Sequence, residues 1–166
     1  FPVYLQELGL PPAAIGGVVA GAQLAGMAVA LLGGWVTGLL GSKWVLVFGL
    51  ALSGVACLAF QVHTPWLVAA LWFIGGAGLA LITVGGASYL TRVGLRGTLG
   101  MLAAFYALSM TVGGAIGTPL AGVIIERRGF SAFGWASLAL IVTSALLATL
   151  FMIYLQDRTA ERASVR

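Results

Sequence analysis

Polar and apolar positions along this 166-residue chain fall into long blocks. Five uninterrupted apolar stretches, at about 13–40, 44–62, 66–90, 98–125 and 131–155, contain no Asp, Glu, Lys or Arg except at their ends. Each is long enough to cross a hydrocarbon core of about 30 Å, which takes roughly 20 helical residues. Strands of a membrane barrel would alternate polar and apolar positions over about ten residues. These runs do not alternate, so the spans are predicted as helices. The separators are short: Gly41-Ser-Lys43, His63-Thr-Pro65, Thr91 to Gly97, and Glu126-Arg-Arg-Gly129. The tightest break, between Gly33 and Trp44, leaves room only for a turn between neighbouring antiparallel spans.

Composition agrees with that pattern. The chain is 61% hydrophobic and 7% charged, with a mean hydropathy of +1.10. Soluble domains are about one quarter charged. A water-soluble fold built from this sequence would present large apolar patches to solvent. The expected fold class is therefore an all-α membrane protein with a single transmembrane domain over 1–166.

The first twelve residues, Phe1 to Pro12, have no basic region and no apolar core of the kind a signal peptide needs. They read as the last turn of a helix followed by a Gly/Pro turn. The expectation is five complete transmembrane helices plus the stub of a sixth.

Charge suggests an orientation. With Phe1 outside, the inner side holds Lys43, Arg92, Arg96, Arg158, Arg162 and Arg166, and the outer side holds Arg127 and Arg128. That asymmetry follows the positive-inside rule. Trp44, Trp66, Trp135 and Tyr154 fall at span ends, where amphipathic rings favour the headgroup layer. The net charge of +4 thus reflects topology. Arginines spread over separate loops make no stripe for nucleic acid.

Several chemistries are excluded by what the sequence lacks. There is no G-x-x-x-x-G-K-[ST] phosphate loop for a nucleotide-driven pump. Gly76-x-Gly78 lies inside an apolar span and lacks a third glycine at Leu81, so it is no dinucleotide site. The sole histidine, His63, sits in a turn, too shallow to activate an intramembrane serine. Cys57 is alone, which rules out an internal disulfide and a thiolate metal cluster. No enzyme, metal site or cofactor is expected.

Motifs then point to a family. Gly34, Gly41 and Lys43 match the skeleton G-x-x-x-D-R-x-G-x-R/K, the signature loop of the major facilitator superfamily, although Gly38 stands at its Asp and Leu39 at its Arg. Gly113-Gly-Ala-Ile-Gly117-Thr-Pro119-Leu-Ala-Gly122 resembles the superfamily's G-x-x-x-G-P-x-x-G-G motif, with the proline one residue late. Arg92-x-x-x-Arg96-Gly97 is similar to its R-G-x-x-x-G loop. Tyr4-Leu-Gln-Glu-Leu-Gly9 through Ile15-Gly16 resembles its first outer loop, and Glu126-Arg-Arg-Gly-Phe130 with Phe133-Gly-Trp135 its turn into the last span of a half. The pieces occur in the family's order from end to end.

The resemblance implies one six-helix half of a twelve-helix transporter, working by alternating access in a bilayer, such as a bacterial inner membrane. Its partners would be the other half and a small-molecule substrate, with efflux among the directions the family uses. The proline motif favours the N-terminal half. The degenerate loop and a basic segment at 156–166, a tail or inter-half linker, favour the C-terminal one. Trp72 occupies the place where relatives carry an arginine linked to proton coupling, so a neutral or amphipathic solute is expected. A non-transporting membrane scaffold is the alternative.

Small residues spaced by four, at Gly17/Gly21, Gly34/Gly38 and Gly113/Gly117/Ala121, mark candidate helix-packing faces. Pro119 adds a bending point, because proline frees a backbone carbonyl. Among polar residues within the spans, most hydroxyls are expected to bond back to their own helices. The amide of Gln23 needs a partner or a wet cavity. Gln23, Trp72, Thr83, Tyr106 and Ser109 are the candidate substrate contacts, the last two by analogy with the family's fifth span. Gly34, Gly41, Lys43, Gly113, Gly117, Pro119 and Gly122 are the candidate conformational positions.

Overall fold

Lipid offers the backbone no hydrogen bonds, so a continuous apolar run must satisfy its own amides, and here each run becomes helix. The computed structural model describes the backbone of residues 1–93 and 98–164, and side chains through Leu150 apart from Val93. Arg96 and Gly97 of the expected inner loop, and the side chains of Tyr154, Asp157, Arg158, Glu161, Arg162 and Arg166, lie outside the described residues.

Helix α1 is short, Pro2–Glu7, and starts at a proline, whose missing N–H costs nothing in a first turn. Helix α2 spans Pro12–Leu40, α3 spans Ser42–Cys57 with a 3-10 turn over Leu58–Gln61, and α4 spans Pro65–Val93. The remaining helix is hydrogen-bonded over Leu99–Ser164, but Gly129 sits inside it at φ 81° and ψ 175°. Its apolar part, Leu99–Leu150, has 52 residues, or about 78 Å of helix, more than twice the bilayer core. The two sides of Gly129 are therefore separate spans, α5 (99–128) and α6 (130–164). This gives five spans, α2 to α6, at the places the hydropathy pattern predicts.

Two turns depend on glycine. Gly41, at φ 82°, ends α2 and starts α3 with no intervening loop, its N–H donating to the Thr37 carbonyl. Gly129 does the same between α5 and α6. An L side chain in that conformation is strained, and glycine is not. The helix runs through Pro119, the expected bending point, without leaving helical geometry, and the break falls at Gly129, inside the separator that the sequence marks.

The helices meet through glycines on α4. A Cβ at Gly78 would stand 2.8 Å from the Ser53 backbone nitrogen, and one at Gly49 would stand 2.7 Å from that of Ile82. Gly75 faces Ala56, Gly85 faces Leu46, and Gly76 lies against the Ala22 carbonyl of α2. The paired numbers on α3 fall as those on α4 rise, so the two helices are antiparallel with backbones nearly touching. Helix α6 packs back along α3: Gly134 meets Phe60, and Leu138 and Ile141 reach Gly54.

Within this chain the expected packing faces are mostly open. Space is open around Gly17, Gly34, Gly38, Gly113 and Gly117, while Gly21 meets Phe73. Among the described residues, most close approaches fall on glycines that the four-residue spacing did not select.

Candidate functional site

Helices α2, α3 and α4 enclose a groove of about 710 Å³. The close contacts of α4 with α2 and with α3 use two different faces of α4. The face between them, carrying Trp72, Leu79 and Thr83, lines the groove, and Gly75 and Gly76 sit at its edges against α3 and α2. Val19, Ala22, Gln23 and Gly26 supply the α2 wall, and Ser53, Ala56 and Cys57 the α3 wall. Among the described residues, no charged side chain lines it.

An aromatic cap closes one end. Phe1 stacks on Trp72 with ring centres 3.6 Å apart, and Phe60 meets Phe1, Tyr4, Trp72, Phe130 and Phe133 through its edges or face. Such pairings add about 0.5–1.5 kcal/mol each beyond area burial. Hydrogen bonds tie the same end. The Tyr4 hydroxyl donates to the Val62 carbonyl at 2.7 Å. Gln61 and Ser131 bond reciprocally: Nε2 donates to the Ser131 carbonyl at 2.9 Å, and the serine hydroxyl donates to Oε1 at 2.6 Å. Burial, and then the nearby Glu7 carboxylate, raise the Tyr4 phenol above its ordinary value of 10.0, so it stays neutral and able to donate.

At the opposite end, α5 touches α4. Tyr106 lies over Gly86, three residues beyond Thr83, where an added Cβ would be 3.2 Å from the phenol oxygen. That oxygen is buried and makes no hydrogen bond to a described residue.

The five candidate contacts therefore separate. Gln23, Trp72 and Thr83 line the groove together. Tyr106 stands just past its far end, and Ser109 is exposed on α5. Two of them are already engaged: Thr83 donates to the Leu79 carbonyl at 2.9 Å and Ser109 to the Tyr106 carbonyl at 2.8 Å, the back-bonding expected of hydroxyls in spans. Trp72 is covered on one face by Phe1. The Gln23 amide is exposed on the groove rim and bonds to no described residue.

Sequence reasoning missed the Tyr4–Val62 and Gln61–Ser131 bonds, which join residues 58 and 70 positions apart. No local pattern marks such pairs. The glycines of α4 carried a usable signal, since five fall between positions 75 and 86. No group of three or more metal-binding side chains occurs among the described residues.

Compared with known proteins, residues 1–166 match the family model described as Major Facilitator Superfamily. No curated protein and no solved structure matches the chain.

Proposed function

The chain belongs to the major facilitator superfamily, whose members are membrane transporters, and on that premise we propose that it helps carry a small neutral or amphipathic solute by alternating access. The observation that supports this reading most directly is the Gln23 amide, near the middle of an apolar span, exposed and without a partner. An unpaired amide in hydrocarbon costs several kcal/mol, so a position like this is maintained where water or a solute supplies the missing bonds. The buried, unpartnered Tyr106 hydroxyl is the second such group.

Neither group is ionic, and all four acidic residues (Glu7, Glu126, Asp157 and Glu161) lie at span ends or beyond. Recognition through an amide and a phenol suits a solute that offers hydrogen-bonding groups without charge. Rocking of this half against the other six-helix half would expose the Gln23 side of α2 to each face of the membrane in turn.

Uptake or efflux by the full-length transporter in proteoliposomes tests the reading. Gln23→Leu should raise KM about tenfold, equivalent to one charge-free hydrogen bond lost from a dry site. Tyr106→Phe should have a smaller effect in the same direction. If Gln23→Leu leaves KM and kcat unchanged, the assignment fails; if the intact protein moves no solute, the scaffold reading takes its place.

A further inference from the structure

We propose that the end of α3 at Gly41 binds the phosphate of a membrane lipid, held by Ser42, Lys43 and Arg92 against the free amides of the first helical turn. The helix has no side-chain cap there, so the amides of Ser42, Lys43 and Trp44 lack an acceptor within the helix. Such an end carries about half a positive charge and favours anions. A second observation marks the same place. Ser42 is only 4% exposed, and its buried hydroxyl bonds to no described residue. Helical side chains tilt toward the N-terminus, so this hydroxyl points to the amide end of α3. A buried hydroxyl left unpaired costs about 1–3 kcal/mol, which an anionic oxygen at the amides offsets.

The register of α4 brings a second cation to Lys43. Gly75, Gly78, Ile82 and Gly85 of α4 meet α3 in steps of three and four, ending at Leu46. The same stripe continues through Tyr89 to Arg92. Ser42 lies about 6 Å beyond Leu46, and Arg92 about 10 Å beyond Gly85 in the same direction, so Arg92 registers just past the end of α3. Neither Lys43 nor Arg92 has an ion-pair partner among the described residues. No Asp or Glu occurs between Glu7 and Glu126, so α2, α3 and α4 bring no carboxylate to this end. The surroundings favour a lipid as the source of the phosphate. Leu40, Trp44 and Phe48 are exposed around the site, an apolar skirt that acyl chains can cover and a free phosphate cannot. Phosphatidylglycerol, whose phosphate is not neutralised by its own headgroup, has the matching charge.

Hydrogen exchange at the amides of residues 42–44 tests this in the full-length transporter, in nanodiscs of phosphatidylcholine with and without phosphatidylglycerol. Phosphatidylglycerol should slow exchange there about tenfold, and inorganic phosphate added to phosphatidylcholine discs should not. Lys43→Gln combined with Arg92→Gln should abolish the slowing. Arg127→Gln combined with Arg128→Gln, an equal loss of charge at the α5–α6 turn, should preserve it. Ser42→Ala should exchange like the parent in phosphatidylcholine and lose most of the slowing. Equal rates with and without phosphatidylglycerol overturn the proposal. So does slowing that inorganic phosphate reproduces, which assigns a soluble anion. Slowing that survives the Lys43 and Arg92 changes overturns it as well, since it reports only the charge of the lipid surface. Full slowing in Ser42→Ala does the same, because the hydroxyl is then no part of the site.

Discussion

Gly78 and Gly117 are both glycines in apolar spans, yet only one of them is required by a neighbour. At Gly78 the α3 backbone at Ser53 and Gly49 occupies the space a side chain would need, while at Gly117 nothing lies within 4 Å. Gly78→Leu should therefore destabilise the bundle by about 3 kcal/mol or more, the upper range for overpacking, because both helix backbones must separate. Gly117→Leu should leave stability within about 0.5 kcal/mol of the parent. Reversible unfolding in mixed detergent micelles measures both; equal losses would place a neighbour on α5 that the structure does not show. Tyr4 gives a second contrast. Its phenol ionises less readily in the folded chain than the ordinary value of 10.0, so the stability it contributes is complete below pH 10 and declines as pH rises beyond that toward the folded value. Tyr4→Phe should lose about 1 kcal/mol at pH 7. The variant should also lack the part of the alkaline decline that is due to this phenol, and an identical decline in both proteins would show that the phenol is not its source.

At the scale of elements, α5 and α6 differ in a way their similar hydropathy conceals. Helix α6 is held at its start by Gln61 and along its length by contacts with α3, whereas every residue of α5 from 107 to 120 is exposed. The hinge between them is Gly129, and the fastening is the reciprocal Gln61–Ser131 pair. Gln61→Leu removes two bonds worth about 1 kcal/mol each. Hydrogen exchange at the amides of residues 131–135 should accelerate by about tenfold or more, with α2 unaffected. If exchange at 131–135 keeps its parent rate, the pair is not what holds the start of α6. The Pro119 region, which looks from sequence like the natural bending point, keeps helical geometry, because a helix tolerates a lost amide where neighbouring turns remain bonded.

For the whole molecule, the open question of direction has a direct measurement. The six-to-two excess of basic residues puts Thr91 inside and Thr64 outside, and both side chains are exposed. In a Cys57→Ser background, Thr64→Cys should react with an impermeant maleimide added outside intact cells, and Thr91→Cys only after the membrane is opened. Labelling of Thr91→Cys from outside would invert the topology. Ser42, at the tight turn, is unsuited to this experiment because its side chain is buried.

The spans themselves were legible in the sequence, since hydropathy acts over 20 residues at a time and lipid permits an apolar run no alternative to helix. The family was legible too, because its motifs are strings of neighbouring residues, and the match over 1–166 agrees with them. Which glycines meet a neighbour within this chain was not. Gly34 and Gly113 have the same local pattern as any small-residue face, and the difference between them and Gly76 or Gly78 lies in which helix arrives opposite. The candidate site was legible in part: Gln23, Trp72 and Thr83 do share one groove, but that Phe1 covers Trp72 and that Tyr106 meets Gly86 depends on how α1 and α5 are set against α4. Local chemistry determines the helices and their breaks. Only the tertiary arrangement decides which of their faces meet, because in lipid no difference in hydrophobicity distinguishes one apolar face from another, and fit between surfaces makes the choice.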